Sequence, residues 1–122
     1  MERTFSKREK LTNKAVFEQL RSEGKGYKSF PFSLRVVACD VPEGVVRQVA
    51  VVVPKSRIKS AVLRNRIKRQ MRELYRLHKH NISTPKSGEA WSIRFLGNRP
   101  QSYSFLEKNF EALINQYNEK NL

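Results

Sequence analysis

Ser60-Ala61-Val62-Leu63-Arg64-Asn65-Arg66-Ile67-Lys68-Arg69-Gln70-Met71-Arg72-Glu73-Leu74-Tyr75-Arg76-Leu77-His78 is the stretch whose periodicity dictates how the rest of the chain is arranged. At about 100° per residue, Leu63, Ile67, Met71, Leu74 and His78 share one side of a helix, with Tyr75 at its margin. Asn65, Lys68, Arg69, Arg72 and Arg76 share the opposite side, and Arg64 and Arg66 lie at the two borders. A helix over about 60–78 with one apolar stripe must rest on something apolar, and the flanking segments read as strands. Arg69 and Glu73, spaced i,i+4, are expected to pair and hold one guanidinium in place.

Upstream, Val45 to Val53 is almost wholly β-branched and reads as a central strand that ends at Pro54. Before it, residues 30–38 alternate with period two: Phe30, Phe32, Leu34, Val36 and Ala38 face one way, and Pro31, Ser33, Arg35 and Val37 the other. Pro31 marks a strand start or an edge, Pro42-Glu43-Gly44 is a turn, and Lys25 to Ser29 adds a short edge strand. A first helix spans about Asn13 to Ser22. Thr12 is its expected cap, Leu11 and Val16 its hydrophobic staple, and Gly24 and Gly26 its stop. Downstream, Thr84 to Gly88 is a loop, and Trp91, Ile93 and Phe95 alternate with Ser92 and Arg94 in a last strand. A closing helix from about Phe105 to Asn118 has Ser104 and Glu107 at capping-box spacing. Its stripe of Tyr103, Leu106, Phe110, Leu113, Ile114 and Tyr117 reads as a core face rather than a base-stacking platform.

Three helices and about four strands in 122 residues make one small α+β domain, 1–122, with a basic N-terminal segment over 1–10 expected to be flexible. The sheet is expected to be mainly antiparallel. The long helix between two strands suits a parallel crossover, and the residues give no reason to depart from the usual right-handed form. A hydrophobic content of 39% is lean but sufficient for a core.

Charge points to a partner. The chain carries 25 Lys+Arg against 11 Asp+Glu, a net +14, and so large an excess is naturally tolerated for a polyanion. From Lys55 to Lys79 there are ten Lys or Arg residues and one acid, so +9 of the +14 sits in about one fifth of the chain. Solvated helix faces mix signs, whereas Lys68, Arg72 and Arg76 form a like-charge ladder that destabilises the helix alone. Guanidinium forks suit phosphate oxygens and stack on bases. Charge alone leaves RNA and DNA both open. No apolar run approaches a membrane span and no signal or lipidation motif occurs, so a cytoplasmic protein is expected. The lone Cys39 forms no internal disulfide and reads as a buried or half-buried strand-end residue.

Catalysis by these residues alone is not indicated. Asp40 is the only aspartate, the glutamates show no metal-ligand spacing, and His78 and His80 read as helix-end residues that favour the C-terminal dipole. No phosphate-cradling glycine loop or nucleophile elbow is present.

The run Ile58-Lys59-Ser60-Ala61-Val62-Leu63-Arg64-Asn65-Arg66-Ile67-Lys68-Arg69-Gln70-Met71-Arg72, continuing into Glu73-Leu74-Tyr75-Arg76, closely resembles the signature of the protein subunit of bacterial ribonuclease P. Val53-Pro54-Lys55 is similar to that family's strand-to-helix turn, with one extra residue before Ala61. The resemblance implies a left-handed βαβ crossover, against the general rule. It also implies a large catalytic RNA partner which, with Mg²⁺ held mainly by that RNA, removes the 5′ leader of precursor tRNA. Residue by residue, it assigns catalytic-RNA contact to Lys55, Arg64, Asn65, Arg66, Lys68, Arg69, Arg72 and Arg76. Leader binding falls to Phe17, which is equally readable as core, and to Arg21 and Arg35, which stand where the family often has aromatics. Two other readings remain open: a ribosomal or general structured-RNA-binding protein, and an autonomous nuclease.

Overall fold

The computed structural model describes residues 6–120. Helix α1 (Lys14–Glu23) is followed by strands β1 (Lys25–Ser29), β2 (Phe32–Ala38) and β3 (Arg47–Val52), helix α2 (Ala61–His78), strand β4 (Glu89–Phe95) and helix α3 (Tyr103–Lys120). The sheet order is β1-β2-β4-β3. β1 and β2 are antiparallel, as are β2 and β4, whereas β3 runs parallel to β4. The sheet is therefore mixed.

Helix ends form where side chains can satisfy orphan amides. Asn13, not Thr12, caps α1, its Oδ1 accepting from the Ala15 N–H at 2.9 Å; an amide side chain one residue later does the same chemistry. Ser60 caps α2 by accepting from the Leu63 N–H at 3.3 Å. The closing helix starts earlier than Phe105, because the Ser102 hydroxyl, rather than Ser104, accepts from the Phe105 N–H at 3.3 Å. Phe30 lies outside the strands, in the two-residue turn that joins β1 to β2, and is half exposed.

One face of the sheet carries the main core. Phe32, Leu34 and Val36 of β2, Val49 of β3 and Trp91, Ile93 and Phe95 of β4 pack against Ile67, Met71, Leu74 and Tyr75 of α2 and Leu106, Phe110, Leu113, Ile114 and Tyr117 of α3. The helical stripes inferred from spacing are thus core stripes. The other face is covered at one end only, where Val37 and Ala90 meet Leu11 and Leu20, with Val16, Phe17, Cys39 and Ala50 at the margin. Burial raises the pKa of the half-buried Cys39 thiol, as do Asp40 and Glu89.

The β-branched run at β3 is not central. It ends the sheet order, and its apolar side chains are used on both faces: Val49 and Val51 face α2, Ala50 packs on the opposite side, and Val52 lines the open end of that side. Its outer edge is also covered, since the Leu11 N–H donates to the Val49 carbonyl at 3.1 Å and Lys10 bridges Val49. Of the basic segment 1–10, residues 1–5 lie outside the described residues. The remainder folds along this edge, with the Lys79 ammonium donating to both Glu9 carboxylate oxygens at 3.0 Å.

The Val49 bond also gives the hand of the crossover. For an L residue seen side chain forward with its strand running upward, the residue's own N–H and C=O point to the right. Val49 directs its side chain at the α2 side and its carbonyl at Leu11, so β4 lies to the left of β3 behind α2. The β3–α2–β4 unit is left-handed, an exception to the usual rule.

A buried polar hub closes the bottom of the core. One oxygen of Glu89 accepts from Arg47 Nε at 3.0 Å, Trp91 Nε1 at 2.8 Å and the Tyr117 hydroxyl at 2.5 Å. Arg47 donates on to the Ser83 carbonyl at 2.8 Å and lies 5.0 Å from the Trp91 ring centre.

Candidate nucleic-acid interface

Helix α2 presents two faces because its two kinds of side chain are segregated. With Ile67, Met71, Leu74 and Tyr75 buried, Asn65, Arg66 and Arg69 are exposed, and Lys68 and Arg72 are partly so. Among the described residues, none of Arg66, Lys68, Arg69 and Arg72 has an ion pair or side-chain hydrogen bond. The expected Arg69–Glu73 pair does not form. Glu73 instead accepts from Arg76 Nε at 3.1 Å, because i,i+3 geometry lets the guanidinium meet the carboxylate with two parallel bonds. That bond, with the nearby charge, holds the Glu73 carboxyl below its usual range. Among the described residues, Arg69 is left exposed with no carboxylate partner.

Arg64 behaves differently from its neighbours. Its Nη1 donates to the carbonyls of Ile58 at 2.9 Å and Lys59 at 2.8 Å, in the connection leading into the helix. Lys55 is exposed in the same connection, and Arg57 Nη1 donates to the Leu96 carbonyl at 2.9 Å.

A groove of about 490 Å³ lies between α1 and the uncovered end of the sheet, lined by Phe17, Leu20, Arg21, Ser33, Arg35, Val52, Ser92 and Arg94. Phe17, readable from sequence as core or cleft, is both: half buried, it packs on the small α1 cluster and lines the groove. Arg21 makes only a loose 3.4 Å pair with Glu18 in full solvent, which contributes little. Arg35 sits under the C-terminal end of α1, its Nη1 3.5 Å from the Arg21 and Gly24 carbonyls, where a cation is favoured. Gly24 ends α1 against Leu20, and a Cβ there would meet the Leu20 carbonyl. The three guanidiniums of Arg21, Arg35 and Arg94 line the groove, and among the described residues no carboxylate joins its walls.

Arg94 is absent from the sites inferred from sequence. Its parity with Ser92 was legible, but the register that sets Arg94 opposite Ser33 and beside Val52 was not. The groove and the α2 face lie on opposite sides of the sheet, joined by the 53–60 connection. Among the described residues no three His, Cys, Asp or Glu side chains are grouped to hold a metal ion, and no helix is long and apolar enough to cross a membrane.

Comparison with known proteins identifies the lineage. The family model described as Ribonuclease P matches residues 5–118. The chain belongs to the ribonuclease P protein family. A ribonuclease P protein component from Porphyromonas gingivalis is 35% identical over 79 residues, which is 65% of this chain and 58% of that relative's length. The ribonuclease P protein of Staphylococcus aureus shares the fold with a TM-score of 0.71 and 20% identity, covering 88% of this chain and 94% of the other. That of Thermotoga maritima matches at 0.70 and 20%, covering 89% and 97%. At such identities the structural likeness speaks to fold: three helices on a four-stranded mixed sheet are the ribonuclease P protein architecture.

Proposed function

We propose that this ribonuclease P protein component binds a large catalytic RNA through α2 and the 5′ leader of precursor tRNA through the groove, and so promotes leader removal in the cytoplasm. On α2, Asn65, Arg66, Lys68, Arg69 and Arg72, with Lys55 before the helix, meet backbone and irregular junctions of the RNA. A regular A-form groove is too deep and narrow for such side chains to read bases. Arg76, shared with Glu73, contributes less. In the groove, Phe17 stacks on a base and Arg21, Arg35 and Arg94 take phosphates or stack in turn. The RNA subunit, with Mg²⁺ held mainly on it, supplies the hydrolysis, and this chain binds and orients.

The observation that carries the reading is that, among the described residues, Arg66, Lys68, Arg69 and Arg72 have no ion-pair partner, on one face of a helix whose other face is core. Uncompensated like charges side by side cost helix stability, and phosphates relieve that cost while releasing counterions. The test is reconstitution. Purified protein alone is expected to leave precursor tRNA intact, and to stimulate cleavage by a ribonuclease P RNA at low Mg²⁺. Cleavage by the protein without RNA would overturn the assignment of chemistry to the RNA.

A further inference from the structure

Arg64 stands in the middle of the cationic sequence, yet its side chain does not join the cationic face. On the helical wheel it lies about 20° from Met71, on the core side. In the first turn of α2 that direction points past the sheet toward the chain's approach to the helix. There Nη1 meets the Ile58 and Lys59 carbonyls at 2.9 and 2.8 Å, and Arg64 is only partly exposed. The same connection is fixed at three further points. Ile58 is buried at 4% exposure, the N–H groups of Arg57 and Ile58 donate to the Pro54 carbonyl at 3.0 and 3.1 Å, and Arg57 reaches the Leu96 carbonyl. What these bonds hold in place is Lys55, exposed between the groove and the helix.

Resting on the RNA-binding reading above, we infer that Arg64 is a positioning residue rather than a phosphate ligand. It locks the 54–60 connection so that Lys55 is presented to RNA in line with Arg66, Lys68, Arg69 and Arg72. The two carbonyls take both Nη1 hydrogens, which turns the guanidinium toward the connection and away from the face formed by Arg66, Lys68, Arg69 and Arg72. Charge-assisted bonds of this kind hold a loop more firmly than neutral ones.

The experiment is a mutant cycle read by binding to a transcribed ribonuclease P RNA, using the full chain. Lys55→Ala and Arg64→Ala are each expected to weaken binding several-fold. Their combination should bind no more weakly than Arg64→Ala alone, because a misplaced Lys55 has nothing left to lose. Arg64→Ala with Arg72→Ala should instead multiply, as independent sites do. Arg64→Lys keeps the charge but its shorter ammonium falls short of the two carbonyls, so it should resemble Arg64→Ala. Hydrogen exchange at the amides of Arg57 and Ile58 should quicken in both Arg64 variants while α3 is unchanged. The proposal is overturned if Arg64 and Lys55 effects multiply, if Arg64→Lys binds like the parent, or if exchange at residues 57–58 is unaltered. An Arg72→Ala variant that binds as well as the parent would overturn the RNA-binding reading and this proposal together.

Discussion

Replacing Arg69 and Arg72 together by alanine separates binding from folding, because only binding is expected to weaken. Each phosphate neutralised by a cation contributes about 0.7–0.9 to the slope of log affinity against log salt. If Lys55, Arg66, Lys68, Arg69 and Arg72 each meet one phosphate, raising salt from about 50 to 200 mM should weaken binding to the catalytic RNA about 130- to 500-fold. Removing two of them lowers the slope by about 1.4–1.8, so the double variant should be about 7- to 12-fold less sensitive to the same change. Neither side chain has an ion pair among the described residues, whereas Arg72 stands in the Lys68–Arg72–Arg76 ladder. Taking it out should leave folding unchanged or stabilise the helix by about 0.2–0.5 kcal/mol. Fluorescence anisotropy across a salt series gives the slope, and thermal melting gives the stability. An unchanged slope, or a binding defect matched by a lower melting midpoint, would refute the assignment of this face.

Glu89→Gln should cost about 3–5 kcal/mol, because Arg47 would remain charged and buried without its carboxylate; urea unfolding that shows less than about 1 kcal/mol would refute the hub's importance. Tyr117 titrates above its ordinary value of 10.0, chiefly through burial and then its bond to Glu89. Its stabilising contribution is therefore complete below pH 10 and declines as pH rises toward the folded-state value. Tyr117→Phe should flatten that alkaline decline in the melting midpoint, and an unaltered profile would count against the linkage. Phe17→Ala and Arg94→Ala should weaken binding of leader-bearing precursor tRNA several-fold more than binding of leaderless tRNA; equal losses on both substrates would remove these residues from the leader site.

Helix α2 was readable at the residue level because its two faces differ in both hydropathy and charge, so its period survives any choice of neighbours. The stripe of α3 and the alternation of β2 were readable for the same reason. Position within the sheet was not. The β-branched run at β3 reports apolar neighbours on both its faces, and a strand at the end of a sheet has them when helices and an N-terminal segment pack around it. Caps slipped by one or two residues, since Thr12 and Asn13, or Ser102 and Ser104, offer equivalent acceptors and only backbone geometry chooses. Partner choice escaped for similar reasons: Glu73 had basic residues at both i−4 and i+3, and side-chain geometry favoured Arg76. The left-handed crossover came from resemblance and not from the residues, because its evidence is a hydrogen bond on β3's outer edge. Arg94 needed the strand register, which spacing alone does not contain.

The parallel pairing of β3 with β4 has a consequence for how one RNA-protein assembly can use both charged surfaces. A parallel neighbour obliges the chain to leave the C-terminal end of β3 and return along the sheet, so α2 begins beside the place where β3 ends. Val52, at that end, lines the groove on one face; Ser60 caps α2 on the other. The connection between them is eight residues long in sequence, from Val53 to Ser60, and is pinned by Arg57, Ile58 and Arg64. Groove and helix thus keep a fixed relation around one edge of the sheet, and Lys55 stands at the corner. Under the proposed function, the leader in the groove and the catalytic RNA on α2 are held in a set geometry by a rigid corner rather than by a flexible linker. Insertion of two glycines after Lys55 should therefore weaken RNA affinity no more than Lys55→Ala does, while uncoupling leader binding from cleavage. The measurement is the ratio of leader-dependent stimulation to RNA affinity. A variant that stimulates cleavage as well as the parent would show that the corner's rigidity plays no part.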